Sequence, residues 1–341
     1  MVNINPLRKY RLLLVDHDAE LAKVLRSMLA EMGFTACDTT GSGAEAMRML
    51  QNQPYDFLIT EWNTQQLNGI DLVKKIRRAP NSPNPVLPII MLTGRAEQSD
   101  VLLARDRGIN EFVVKPFSAK TIYNRIERIV EHPRQFIVSP SFVGPNRRAR
   151  GAPPPGMANR RTMKIQPQLQ PLDMLGAIEA PQQPRIWLPD FSLKYKLGGA
   201  RLDSLITPAV LEQAQAAVDA ISDASLGWIK TNLEDLRALS ARMQAGDYPP
   251  MVAHDLGELA LTLNARAGTF GYGRASEIAY LLYLFCRNHL NPRHKDHHVI
   301  VQKHIDVLHV ILGNKMRGSA GELGDQLAGE LKKLADKFSQ S

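Results

Sequence analysis

With 341 residues, 44% of them hydrophobic, the chain can bury two cores and still have a connector to spare. The opening MVNINPLRKYRLLLVDHD has a four-residue apolar run before charge returns, and the longest apolar stretch, IAYLLYLFC at 278–286, is half a membrane span, so neither a secretory signal nor a spanning helix is expected. Two cysteines far apart in sequence, Cys37 and Cys286, fit a reducing compartment, and a cytoplasmic protein is expected.

The net charge of +8 is uneven: residues 1–131 carry 17 basic and 15 acidic side chains, 132–201 carry 11 and 3, and 202–341 carry 14 and 16. The connector alone accounts for the excess.

Along the chain, strand and helix patterns first alternate. RLLLV at 11–15 is a buried-strand run, and 19–32 has helical spacing that ends before Gly33, a good C-cap. A strand at 35–39, a helix at 42–52, a strand at 55–60 and a helix from Gly69 to about Arg78 follow. A strand at 86–92, a helix at 97–107, a strand at 111–114 and a helix at 118–130 complete the set. Five strands alternating with helices predict an α/β fold: a doubly wound parallel sheet covered on both faces, with its chemistry at the carboxyl ends of the strands.

Residues 132–201 break the pattern. They are rich in Pro, Gly, Gln and Arg, with GAPPPG at 151–156 and basic repeats in GPNRRAR (144–150) and ANRRTMK (158–164). The composition predicts a basic linker, flexible or extended, in which WLPDFSL (187–193) docks locally onto a domain. From Thr207-Pro208, an N-cap followed by Pro at the first helical position, the remainder reads as helix. One pattern runs to about 245 with Gly227 as a kink, and others cover 249–268, 274–290, 296–313 and 319–338. Short connections between them predict an all-α bundle over 202–341.

The chemistry lies in scattered residues of 11–120. Asp16 and His17 stand in VDHD after the first strand, Glu61 in YDFLITEWNTQQLNG, Thr93 at the end of PIIMLT, and Phe112 and Lys115-Pro116 in EFVVKPF. Together with Gly69, this order resembles the response-regulator receiver family over about 110 residues. The resemblance implies a flavodoxin-like domain at 1–131, with Asp16 in the acidic pair, Thr93 on a phosphoryl oxygen, Lys115 on the phosphorylated carboxylate and Phe112 as the aromatic that follows its state. Two positions depart from the family. The acceptor Asp is replaced by Glu61, whose extra methylene moves the carboxylate by about 1.5 Å. A misplacement of that size can cost about a hundredfold in rate. The second acidic ligand is replaced by His17, a nitrogen where Mg²⁺ prefers oxygen. The expectation is a pseudo-receiver with no catalytic residue, no working phosphoacceptor, no metal site and no cofactor beyond weak Mg²⁺. Its pocket is either held in one state by Glu61 reaching towards Lys115, with His17 as a second partner, or a scaffold whose chemistry has decayed.

NARAGTFGYGRASEIAYLLYLF at 264–285 resembles the motif region of histidine phosphotransfer domains. Aligning Gly268, Phe270 and Gly271 puts Leu261 at the phosphohistidine, Asn264 at the usual Lys and Ala265 at the usual Gly. The nucleophile is then absent, and Leu261 is expected to present an apolar docking spot. A slipped alignment would use His254 instead. His294, His297 and His298 with Asp296 share a helical face that could ligate a metal but more often forms a solvated helix start. The pairs Arg147-Arg148 and Arg160-Arg161 lack the interleaved aromatics of nucleic-acid readers.

The function expected is that of a non-catalytic, phosphorylation-independent two-component regulator. It is not an enzyme, and its partners are histidine kinases, phosphotransfer proteins or receivers. The alternatives are a working phosphoacceptor at an off-pattern residue such as His254, and a nucleic-acid-associated regulator acting through the basic linker.

Overall fold

Five short strands form the first sheet because each supplies β-branched and aliphatic residues to faces that helices cover. They are Arg11–Val15 (β1), Ala36–Thr40 (β2), Phe57–Thr60 (β3), Ile89–Thr93 (β4) and Glu111–Val114 (β5). In the computed structural model, which describes residues 5–95, 97–139, 141–146, 165–166, 185–187, 192–224, 227–246 and 251–338, they pair in parallel in the order β2-β1-β3-β4-β5. Leu13 pairs with Asp38 on one side and Leu58 on the other, Ile59 with Ile90, and Met91 with Phe112. The central strands β3 and β4 are buried at every position, whereas the edge strands β2 and β5 expose some of theirs.

The intervening helices are Ala19–Glu31 (α1), Gly43–Asn52 (α2), Gly69–Arg78 (α3), Gln98–Asp106 (α4) and Ala119–Glu131 (α5). Their starts are written locally. Asp18 caps α1 by accepting from the amides of Glu20 and Leu21, Ser42 caps α2 through Glu45 N, and Asn68 caps α3 through Asp71 N. Ser42 and Glu45 have the spacing of a capping box. At the other end of α3, Arg77 is wholly buried. It donates to Gly108 O at 2.9 Å, Pro85 O at 2.8 Å and Asn110 Oδ1 at 2.9 Å, and its guanidinium lies 5.2 Å from the Phe136 ring centroid. Burial lowers its pKa to about 9.

Phe136 belongs to a second sheet that the sequence did not suggest. Phe136–Val138 (β6), Val143–Pro145 (β7), Ile165–Gln166 (β8) and Arg185–Trp187 (β9) pair in the order β7-β6-β9-β8. Phe136, Val138 and Val143 make its small core, with Val86 packed against it. Strands of two or three residues are too short to show the period-two alternation by which strands are read. The expected docking of 187–193 is seen at its described end, where the Leu193 carbonyl accepts the buried Tyr10 hydroxyl from within the short helix Ser192–Lys196 (α6). Lys196 pairs with Asp56, and Lys194 Nζ is 3.0 Å from Glu131 Oε2. GAPPPG, ANRRTMK and Arg147–Arg150 lie outside the described residues.

The chain divides into two compact units. The first comprises Met1–Val114 and Ala119–Ala217, so the described residues of 132–201 group with the first sheet; the second comprises Lys115–Ser118 and Val218–Ser341. After Leu202–Leu205 (α7), helices Pro208–Ala224 (α8), Gly227–Gln244 (α9), Val252–Thr269 (α10), Gly273–Asn288 (α11), Lys295–Gly313 (α12) and Gly321–Phe338 (α13) follow, close to the ranges read from sequence. The division falls within α8. In the second unit α10 packs on α9 and α11, and α12 on α9, α11 and α13. The residues 225–226 before Gly227, the expected kink, separate α8 from α9 and are not described.

Candidate functional site

The strand order reverses direction between β1 and β3, the crevice where doubly wound sheets place their chemistry. The residues singled out from sequence stand there or at neighbouring strand ends. Asp16 and Glu61 follow β1 and β3 directly, Thr93 ends β4, and Lys115 follows β5. All four are buried, each with no more than 6% of its surface exposed. Phe112, in β5, is half-buried and packs on the cluster that contains Val15, Leu58 and Met91.

The main chain fixes the position of Glu61. Its amide donates to Val15 O at 2.8 Å, and Thr60 Oγ1 donates to its carbonyl at 3.1 Å. Its carboxylate Oε1 accepts from the amide of the next residue, Trp62, at 2.6 Å. A Cβ on Gly69 would come within 2.0 Å of the Glu61 carbonyl oxygen, so the glycine lets α3 begin against the acceptor position. Thr93 Oγ1 accepts from Arg95 N at 3.2 Å.

The two residues expected at the acidic pair are placed differently. Asp16 Oδ1 accepts from Asp18 N at 2.9 Å. His17 turns outward: its side chain is 40% exposed, and Nδ1 lies 3.8 Å from Asp16 Oδ1. Asp18 uses Oδ1 on the first amides of α1 at 3.1 and 3.2 Å.

Two contacts escaped the sequence reading. Trp62 is half-buried against the core, and the Arg95 guanidinium sits 5.7 Å from its ring centroid, joining the β3–α3 and β4–α4 loops. A Trp after the acceptor and an Arg two places after Thr93 were the available signals. The 62–68 loop is also stitched to the start of α2. Gly43 N donates to Gln65 O and Gln65 N to Gly41 O, both at 3.1 Å, and a Cβ on Gly43 would meet Leu67 O at 2.0 Å.

In the second unit, Leu261 is 6% exposed, so the apolar docking spot expected there is not open. It lies on α10, whose buried residues run around much of its circumference. Asn264 serves the α10–α11 seam, with Nδ2 donating to Ser276 O and Oγ at 2.9 Å each. His254 is exposed, with Nδ1 3.4 Å from Asp255 Oδ1. Among the described residues, those of 294–298 included, there is no group of three or more His, Cys, Asp or Glu placed to hold a metal ion. No described helix is long and apolar enough to cross a membrane.

Residues 12–127 match the family model for the response regulator receiver domain. The chemotaxis protein CheY of Pseudomonas aeruginosa is 33% identical over 121 residues, which are 36% of this chain and 96% of that protein. CheY-3 of Vibrio cholerae is 31% identical over 124 residues, 36% of this chain and 94% of that protein. Among solved structures, Vibrio cholerae CheY4 is 25% identical, covering 35% of this chain and 98% of that chain, with a TM-score of 0.33. A relative a third identical and matched almost end to end, over a sheet with this order, leaves one assignment: the chain belongs to the response regulator receiver family.

Proposed function

We propose that this receiver domain works in two-component signalling without accepting phosphate, and that it acts by binding. The carrying observation is how the acids at the switch point are used. Glu61 stands at the acceptor position with Oε1 engaged by the Trp62 amide, and Asp18 is engaged as the cap of α1. Of the positions that would ligate Mg²⁺, Asp16 remains as a buried acid, and the next offers an exposed imidazole. That donor set does not fit an ion that wants near-octahedral oxygen. Without the ion a transferring phosphoryl group would lose the divalent charge that neutralises its oxygens, leaving Lys115 to act without it.

The helical unit is read as a relative of histidine phosphotransfer domains that has lost its nucleophile, with Leu261 at the vacated position. The partners then share the chemistry of such systems: histidine kinases, phosphotransfer proteins or other receivers. The boundaries at 131 and 201 are proposed as the limits of the receiver and helical resemblances, not of packing, since the described residues between them group with the first unit.

The test is gain of function on the full chain with acetyl phosphate as donor. Wild type should take up no phosphate, and Glu61→Asp alone should stay near background because nitrogen still stands at position 17. Glu61→Asp combined with His17→Asp should become phosphorylated in a Mg²⁺-dependent way. Phosphate on wild-type Glu61 would refute the proposal, as would an inert double variant with a native unfolding profile. A second reading rests on the exposure of His254 beside Asp255. It predicts acid-labile phosphate from a phosphorylated receiver, lost in His254→Ala.

A further inference from the structure

We propose that the N-terminal end of β5, at the opposite edge of the sheet from Asp16 and Glu61, forms a binding site for a dianionic phosphate group. Glu111 opens β5 and is buried, yet three arginines converge on its one carboxylate. Arg134 Nη2 lies 3.0 Å from Oε1, Arg125 Nη1 3.3 Å from Oε2, and Arg128 Nη1 3.7 Å from the same Oε2. Arg125 and Arg128 come from one face of α5, three residues apart, and Arg134 from the segment after it.

One carboxylate balances one guanidinium, so the cluster keeps a surplus of two positive charges. Holding like charges together at this range is unfavourable unless a counter-charge is supplied. The side chains of Arg125, Arg128 and Arg134 remain 31%, 50% and 41% exposed, so the carboxylate is covered while donor edges still face solvent. Each guanidinium has five N–H donors, more than a shared carboxylate can use.

A second observation points the same way. The residue before Glu111, Asn110, receives Nη2 of Arg77, a wholly buried cation whose described hydrogen-bond acceptors are two carbonyls and one amide oxygen. No anion among these offsets its charge, which adds to the positive potential at the start of β5. A phosphate monoester matches the site in charge, and its oxygens suit the planar guanidinium fork. This inference does not depend on the pseudo-receiver reading, because none of its residues belongs to the switch-point crevice.

The experiment titrates the full-length protein with inorganic phosphate at an ionic strength held constant with chloride. Heat of binding and the NMR shifts of the arginine Nε–H groups report the outcome. Saturable binding is expected, with a nucleoside monophosphate binding similarly. Arg128 makes the longest contact, so Arg128→Ala leaves Glu111 two partners. It should weaken binding about tenfold or more, the loss of one charge-assisted contact, with the urea midpoint as the check on folding. Arg128→Lys keeps the charge but not the fork and should fall between the two. Arg48→Ala, on α2, should bind as wild type does. The proposal is overturned if phosphate does no more than chloride, or if Arg128→Ala binds unchanged. It is also overturned if only an oligonucleotide binds, since the connector's excess of eight positive charges would draw any polyanion.

Discussion

Gly69 and Gly43 each face a carbonyl oxygen at 2.0 Å from where a Cβ would lie, Glu61 O in one case and Leu67 O in the other. Neither oxygen can swing aside, because both belong to the loop that carries the acceptor position. Alanine at either site should destabilise the protein by about 1–3 kcal/mol, as overpacking does. Gly69→Ala should in addition shift the Glu61 amide resonance. Equilibrium urea unfolding and an amide spectrum check both points. Arg77 makes the opposite prediction, of loss rather than crowding. Arg77→Met strands the carbonyls of Gly108 and Pro85, while Asn110 Oδ1 keeps the Ile89 amide at 3.0 Å. A destabilisation of roughly 2–5 kcal/mol is expected from two buried acceptors without donors, measured as a lowered urea midpoint. These residues differ in how visible they were beforehand. Gly69 could be read from sequence because its neighbours form an ordered motif. The role of Arg77 could not, since its acceptors come from two distant loops and an arginine near a helix C-terminus ordinarily faces water.

At the scale of elements, α12 contains a titrating group that the fold keeps neutral. His304 is buried, and Nδ1 lies 2.8 Å from Ile300 O, a contact in which the ring nitrogen donates. Burial lowers its pKa, and the hydrogen bond to Ile300 only partly opposes the shift. The unfolded chain therefore takes up a proton at a higher pH than the native one does. Stability contributed here is complete above the unfolded value of about 6.5 and declines as pH falls from there towards the native pKa. Unfolding free energies measured between pH 7.5 and 5 should show that decline, and His304→Gln should flatten it. The helices themselves were legible because apolar residues at three- and four-residue spacing over sixteen or more positions leave little ambiguity. The five parallel strands were legible for the same reason, through their alternation with helices. β6, β7, β8 and β9 were not, because a pairing of two or three residues is stabilised by contacts distant in sequence. The carboxylate of Asp18 is a related case. Its place just before α1 let Oδ1 cap the first turn, a role that depends on the helix forming.

Across the whole molecule, the segment after α5 belongs energetically to the first unit. Tyr10 donates to Leu193, Leu202 N donates to Glu131 Oε1 at 3.0 Å, and Lys194 and Lys196 reach Glu131 and Asp56. Burial raises the Tyr10 hydroxyl's pKa above its ordinary value, consistent with a phenol that keeps its proton to donate. A fragment ending at 131 should therefore be less stable than one ending at 217, by about 2 kcal/mol or more from these contacts. Comparing their urea midpoints decides it, and equal midpoints would mean the tether contributes nothing. Receiver homology ends near 127, so this dependence was not available from the family pattern.

The backbone stitching between Gly41–Gly43 and Gln65 has a consequence for information flow. Two bonds running in opposite directions make the turn before α2 and the loop after Glu61 a single mechanical piece. Thermodynamic reciprocity then applies to it. Any partner that grips the turn more tightly in one arrangement of the loop must bias Glu61 towards that arrangement, and a change at Glu61 must return the same factor to the partner's affinity. Whatever input this receiver takes, the joint is a place where a partner's grip and the state of Glu61 report on each other.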